Sequence, residues 1–175
     1  MSLRFSKYRK RILFLITFLL IIPEILFAGR FKVINVYDGD TIMAYGQDIT
    51  IKVRLFAIDA PELTVKFGQP EQPFSKQAKE FLAELILKKE VDIHGYGLDP
   101  YNHILGIIYV DGKNVNLEMI KAGLAEISRS RSAGNDIMLY RRAEIEAQAA
   151  SKGIWSVRKY YISPKEWRMK HGQQP

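Results

Sequence analysis

Asp38, Asp40, Asp59 and Glu62 gather in two places: the turn after a first strand-like run and the end of a third. In an antiparallel meander the start of strand two lies beside the end of strand three, so Asp40 and Asp59 are expected to share a metal ion. Hard oxygen ligands with no histidine or cysteine beside them favour Ca²⁺ or Mg²⁺ over zinc. Glu62 follows Pro61, which stiffens the backbone and is expected to hold its carboxylate near that metal. Arg54 sits inside the third strand and counts by twos onto the face of Lys52, Phe56 and Ile58, where an arginine needs a partner. A cation beside metal-binding carboxylates suits a phosphate-bearing substrate, whose developing charge it neutralises. Taken singly each residue has an ordinary reading: acids beside glycine form turns, and strand arginines make rim ion pairs.

The elements that must position these groups are legible in pattern. Residues 31–37 are mostly apolar and β-branched and end at Asp38-Gly39. Residues 41–45 and 49–58 follow, separated by Gly46-Gln47-Asp48, which makes three antiparallel strands in succession. Phe74, Ala78, Phe81, Leu82 and Leu85 share one helical face, predicting a helix over 74–88. Strand character returns at 90–96 and 104–110. Short and long helices are predicted over 114–122 and 136–152, closed by Gly123 and Gly153. This order fits an α+β fold, a five-stranded barrel of the oligonucleotide/oligosaccharide-binding (OB-fold) type with three helices packed outside.

The chain has 175 residues, 47% of them apolar, which bounds it to one compact domain and excludes wholesale disorder. Residues 1–28 have the order of an export signal. Arg4, Lys7, Arg9, Lys10 and Arg11 precede an apolar run broken at Pro23-Glu24, and Ala28 is a small residue at the expected cut. The protein is therefore expected to be secreted or periplasmic, or membrane-anchored if the segment is retained. Five basic residues and one acid lie in that segment, so its removal lowers the net charge from +7 to +3. Net charge alone then does not identify a nucleic-acid binder. The absence of cysteine excludes disulfides and thiolate metal sites. His94 and His171 have no paired ligand at metal spacing, and Gly95-Tyr-Gly97 is a loop with no following helix to cradle phosphate. Residues 157–175 form a basic, aromatic tail; Trp155, Tyr160, Tyr161 and Trp167 are expected as caps on the barrel or helices, with base stacking as the other reading.

Several motifs keep both order and spacing: Val36-Tyr-Asp-Gly-Asp-Thr41, Val53-Arg-Leu, Ile58-Asp-Ala-Pro-Glu62, Phe67-Gly-Gln69, Asp111-Gly-Lys-Asn-Val-Asn116, Gly123-Leu-Ala125 and Gly153-Ile-Trp-Ser156. Together they closely resemble the staphylococcal-nuclease-like family, the thermonucleases, over residues 31–156, within a domain set at 29–156. The resemblance implies the five-stranded barrel with three helices. It implies that Asp40 and Asp59, with the main-chain carbonyl of Ala60, bind one Ca²⁺. Glu62 would orient or deprotonate the attacking water, and Arg54 would hold the phosphate and stabilise the five-coordinate transition state. It implies an endonuclease hydrolysing DNA and RNA with little sequence preference, breaking the bond on the 5′-oxygen side; no protein partner is implied, and a monomer is expected. Asp38 would order the turn and the surroundings of the metal.

One motif departs from the pattern. Family members usually carry a second catalytic arginine in an Asp-x-Tyr-Gly-Arg run, which here reads Asp99-Pro-Tyr-Asn-His103. Tyr101 is retained as a substrate-binding candidate, Asn102 replaces glycine, and His103 replaces arginine. Three outcomes stay open: His103 serves as a shorter, pH-dependent cation or as a proton donor; another arginine reaches the site; or activity is reduced. Arg129 and Arg131, in the loop before the third helix, are candidates for the second, against the reading of a solvated basic loop. The alternative function is a nucleic-acid-binding module that keeps the barrel and has lost catalysis.

Overall fold

The computed structural model describes residues 28–63, 70–128 and 137–171. Strands β1 (Ala28–Val36), β2 (Thr41–Gly46) and β3 (Ile49–Leu55) form the expected meander. Its registers pair Val36 with Ile42 and Thr41 with Arg54. Alternation buries one face: Val33, Ile42, Ala44, Val53 and Leu55 lie within the core. β5 (Glu90–Leu98) pairs with β1 on one side and with β6 (Ile104–Val110) on the other. The short β7 (Lys113–Asn114) pairs with the end of β6, and β6 itself returns to lie parallel to β3, with Val53 opposite Ile104 and Arg54 opposite Leu105. That pairing closes a five-stranded barrel and removes the open edges.

Helices cover the barrel. In α1 (Ser75–Ile86) the residues Ala78, Leu82 and Ile86 recur at fourfold spacing and are fully buried. α2 (Val115–Lys121) starts where the Asn114 side chain accepts a hydrogen bond from the Leu117 N–H at 3.0 Å. α3 is described from Ile137 to Ala149 and turns Tyr140, Ala143 and Ala147 inward. The expected start at Asp136 lies outside the described residues. Asn116, wholly buried, ties barrel to helix. Its Oδ1 accepts from the Ile108 N–H, while Nδ2 donates to the carbonyls of Phe56 and Gly106.

Two features depart from the pattern read off the sequence. The run 49–58 is not one strand: Ala57 has φ of 64°, and the chain turns there. The Phe56 N–H donates to the Gly106 carbonyl, after which β4 (Ile58–Asp59) pairs instead with β8 (Glu126–Ile127), placing Asp59 opposite Glu126. The second feature lies at the other end of the chain. A 3-10 segment (Gly153–Tyr160) leads to a further helix, α4 (Pro164–Lys170). α4 starts at a full capping box, Ser163 with Glu166, and Pro164 stands in its first turn. Among the described residues no helix is long and apolar enough to cross a membrane; residues 1–27, which hold all of the expected signal except Ala28, lie outside them.

Candidate active site

The turn between β1 and β2 is shaped by Gly39. A Cβ at that position would lie 2.6 Å from the Ala78 Cβ and 2.7 Å from the Ala60 Cβ, so the turn seats directly on α1 and on the β4 exit. Asp38 Oδ1 accepts the Asp40 N–H at 2.9 Å, which turns the backbone and points Asp40 inward. The Asp40 carboxylate is then held from three sides: Thr41 Oγ1 at 3.0 Å on Oδ1, and the Ala60 N–H at 3.1 Å and Arg54 Nη2 at 3.4 Å on Oδ2. The same Arg54 nitrogen lies 3.2 Å from Asp59 Oδ1. Asp40 and Asp59 therefore face one point in space, although they stand 19 positions apart in the sequence.

A second guanidinium completes the cluster, and the sequence reading did not single it out. Arg168, on α4, donates Nη1 to Asp59 Oδ1 at 2.9 Å and Nη2 to Asp59 Oδ2 at 2.8 Å, a bidentate fork. Its Nη1 also donates to Glu62 Oε1. Only 8% of Arg168 is exposed. Gln72 braces the same seam: its Oε1 accepts the Glu62 N–H at 2.9 Å, its N–H donates to the Glu62 carbonyl, and its Nε2 donates to the Ile162 carbonyl at 2.9 Å. The capping box at Ser163 was a readable signal for α4; nothing local in the sequence pointed Arg168 at Asp59, 109 positions away.

The charges act on one another. Burial, then the neighbouring Asp40, push the Asp38 carboxyl up to about 7. Burial also raises Glu62, opposed chiefly by its hydrogen bond from Arg168. Asp40, ahead of Asp59, holds the Arg54 guanidinium more firmly protonated than usual. For Arg168 burial works the other way, but its hydrogen bonds to Asp59 and Glu62 and their charges outweigh it. Asp38, Asp40, Asp59 and Glu62 against Arg54 and Arg168 leave a surplus of negative charge that a divalent cation would offset.

The donor set fits such an ion. Among the described residues no three histidine, cysteine or acidic side chains meet at metal spacing, so protein ligation would rest on the carboxylates of Asp40 and Asp59 and the main-chain oxygen of Ala60. A carboxylate offers about four lone-pair sites. Asp40 and Asp59 each accept three hydrogen bonds, which leaves each one site toward a cation. All these ligands are hard oxygens, the chemistry of Ca²⁺ or Mg²⁺. Glu62 Oε2 carries no hydrogen bond among the described residues, whereas Oε1 is held by Arg168.

The other candidates are placed differently. His103 Nδ1 lies 2.9 Å from Asp99 Oδ2, and the His103 and Tyr101 N–H groups both donate to Asp99 Oδ1. This is a self-contained corner between β5 and β6, with no hydrogen bond or ion pair from His103 to the carboxylate cluster. Burial of Asp99 works to raise its carboxyl, but the His103 and Tyr101 N–H bonds and the imidazole win, and it lies below its ordinary value. Asn102 has φ of 61°, a left-handed conformation that asparagine tolerates better than most residues, so the loss of glycine leaves the turn intact. Tyr101 is 48% exposed beside it. Arg129 and Arg131, like Phe67-Gly-Gln69, lie outside the described residues. Of the tail aromatics, Trp155 and Tyr161 pack with ring centroids 4.7 Å apart, and Tyr161 donates its hydroxyl to Glu126, whereas Tyr160 is 75% exposed.

Comparison with known proteins identifies the family. The family described as staphylococcal nuclease homologue matches residues 52–157. A Haemophilus influenzae protein named "Uncharacterized endonuclease" is 34% identical over 160 residues, covering 88% of this chain and 84% of the relative. The "Probable endonuclease LCL3" of Pyricularia oryzae is 36% identical over 129 residues, and that of Phaeosphaeria nodorum 38% over 128. These matches span 50% and 42% of the two fungal proteins, so the chain corresponds to about half of each. The chain belongs to the staphylococcal nuclease homologue family and, by that membership, is a nuclease of the hydrolase class.

Proposed function

We propose that the protein is a calcium-dependent endonuclease that hydrolyses phosphodiester bonds of DNA and RNA with little sequence preference. In this reading it works as a monomer outside the cytoplasm, with residues 1–28 as its export signal. The observation that carries the proposal is the convergence of Asp40, Asp59 and Arg54, with Glu62 beside them and its Oε2 open to a water molecule. The names of the relatives support the endonuclease reading, and the oxygen-only donor set supports the calcium reading.

The chain's own groups divide the work. Glu62 Oε2 accepts a proton from the attacking water, and the raised affinity of that carboxyl for protons makes it a stronger base than an exposed glutamate. Arg54 donates to the non-bridging oxygens of the phosphate as charge accumulates on phosphorus during attack. Its firm ionisation keeps that charge available throughout the working pH range. Asp40 and Asp59 hold Arg54 in place and would hold the calcium ion with the Ala60 carbonyl. Calcium, when bound, supplies Lewis-acid charge to the phosphate. The bond to the 5′-oxygen breaks as the water oxygen bonds to phosphorus, and the departing oxygen takes a proton from solvent to leave as a 5′-hydroxyl.

The test is cleavage of single-stranded DNA by the full-length chain in millimolar Ca²⁺, beside Glu62→Gln and an EDTA control. Wild type should cut faster than Glu62→Gln by ~10²-fold or more, and EDTA should stop it. Wild type that binds DNA with a salt-dependent affinity but cuts no faster than Glu62→Gln would instead identify a binding module.

A further inference from the structure

We propose that Arg168 is a positioning residue of the hydrolytic reaction, so that the active site is completed by a helix lying beyond residues 52–157, the segment that matches the family. The inference rests on the nuclease reading above. Three observations carry it. Arg168 takes both oxygens of Asp59 and one oxygen of Glu62, joining the metal carboxylate to the base. It holds Glu62 by Oε1 alone, which fixes the carboxylate plane and leaves Oε2 for water. Finally, Asp59 retains one lone-pair site after accepting from Arg54 and Arg168, so the guanidinium and a cation can occupy the site together.

The surroundings are built to hold α4 in this position. Gln72 links the Glu62 backbone to the Ile162 carbonyl immediately before the helix. Tyr161 reaches Glu126, the residue paired with Asp59 across β4 and β8. The residues leading into α4 are thus tied indirectly, through Gln72 and Glu126, to the segment that carries the metal carboxylate and the base. A fork that fixes the plane of a metal ligand and the angle of a base acts on geometry, and small misplacements of reacting groups lower rates steeply. His103 faces Asp99 and supplies no such link.

The test compares full-length wild type, Arg168→Gln, Arg168→Lys and Glu62→Gln. The readings are kcat and KM on a single-stranded oligonucleotide, calcium affinity by calorimetry without nucleic acid, and the melting temperature. For folded Arg168→Gln the expected result is a kcat lower by ~10–100-fold, KM within about threefold, and calcium affinity lower by up to ~10-fold. Arg168→Lys should recover part of kcat, because the charge remains while the fork is lost. A folded Arg168→Gln with kcat and calcium affinity both unchanged would overturn the proposal and make the residue a structural tie. A rise in both would overturn it as well, making Arg168 a competitor of the metal. If Arg168→Gln does not melt cooperatively, Arg168→Lys decides by the same readings: lower kcat at wild-type melting temperature supports the proposal, and unchanged kcat overturns it. Wild type no faster than Glu62→Gln would sink the nuclease reading itself, and the calcium affinities would then decide the claim about Asp59.

Discussion

In the carboxylate cluster, two guanidiniums reach acids supplied by other elements; in the corner between β5 and β6, an imidazole reaches an acid four residues before it. Both pair a base with a buried carboxylate, and both distances are near 2.9 Å. They differ in where the carboxylate's partners come from. Asp99 uses Oδ1 on the N–H groups of Tyr101 and His103, so its work is to close a turn. Asp40 and Asp59 are brought together from separate elements by Arg54, and Glu62 Oε2 carries no hydrogen bond among the described residues. The difference teaches that chemistry belongs where charges are drawn together from distant elements. A local pair that satisfies itself is architecture.

The largest effect should come from Asp59→Asn, which removes the carboxylate on which Arg54 and Arg168 converge. We expect kcat to fall by ~10³-fold or more, and stabilisation of the melting temperature by calcium to disappear; activity within tenfold of wild type would break the account of the cluster. Gly39→Ala comes next. Its new methyl must displace Ala60 or Ala78, shifting the Asp40 turn by a fraction of an ångström to an ångström. A loss of ~10²-fold in kcat is expected for such a shift, and unchanged kinetics would show that the turn is tolerant.

Asp99→Ala should act on stability rather than on catalysis. Leaving two N–H groups without their acceptor should cost about 2–3 kcal/mol, measured by urea unfolding at neutral pH, with kcat little changed. The sign of the pH dependence follows from the direction of the shift. Asp99 titrates below its unfolded value, so its contribution is complete above that value and is lost as pH falls through the folded one. The stability gap between wild type and Asp99→Ala should therefore narrow on acidification; a gap that widens would contradict the assignment.

Much of this was readable from the chain. Strand β6 occupies the predicted residues 104–110, and the Asp38-Gly39-Asp40 turn delivers its second acid to the expected neighbour. The apolar run over 49–58 concealed the break at Ala57, because an alanine at positive φ leaves no mark in a hydrophobicity pattern and is held only by tertiary contacts such as the Ser128 N–H on its carbonyl. Arg168 was hidden for a related reason. In Trp167-Arg-Met-Lys170 it reads as one more basic residue near a polar end, and its partners are set by how α4 lies against the barrel. The sequence places Arg54 in a strand whose register is fixed by alternation; it has no comparable rule for a side chain that arrives from a terminal helix.

The most direct measurement is kcat under saturating Ca²⁺ for Arg54→Ala and His103→Ala in the same assay. If the chemistry resides in the carboxylate cluster, Arg54→Ala should lose ~10³-fold or more, while His103→Ala stays within about threefold of wild type. A His103→Ala enzyme as impaired as Arg54→Ala would place the working cation in the β5–β6 corner and contradict the account.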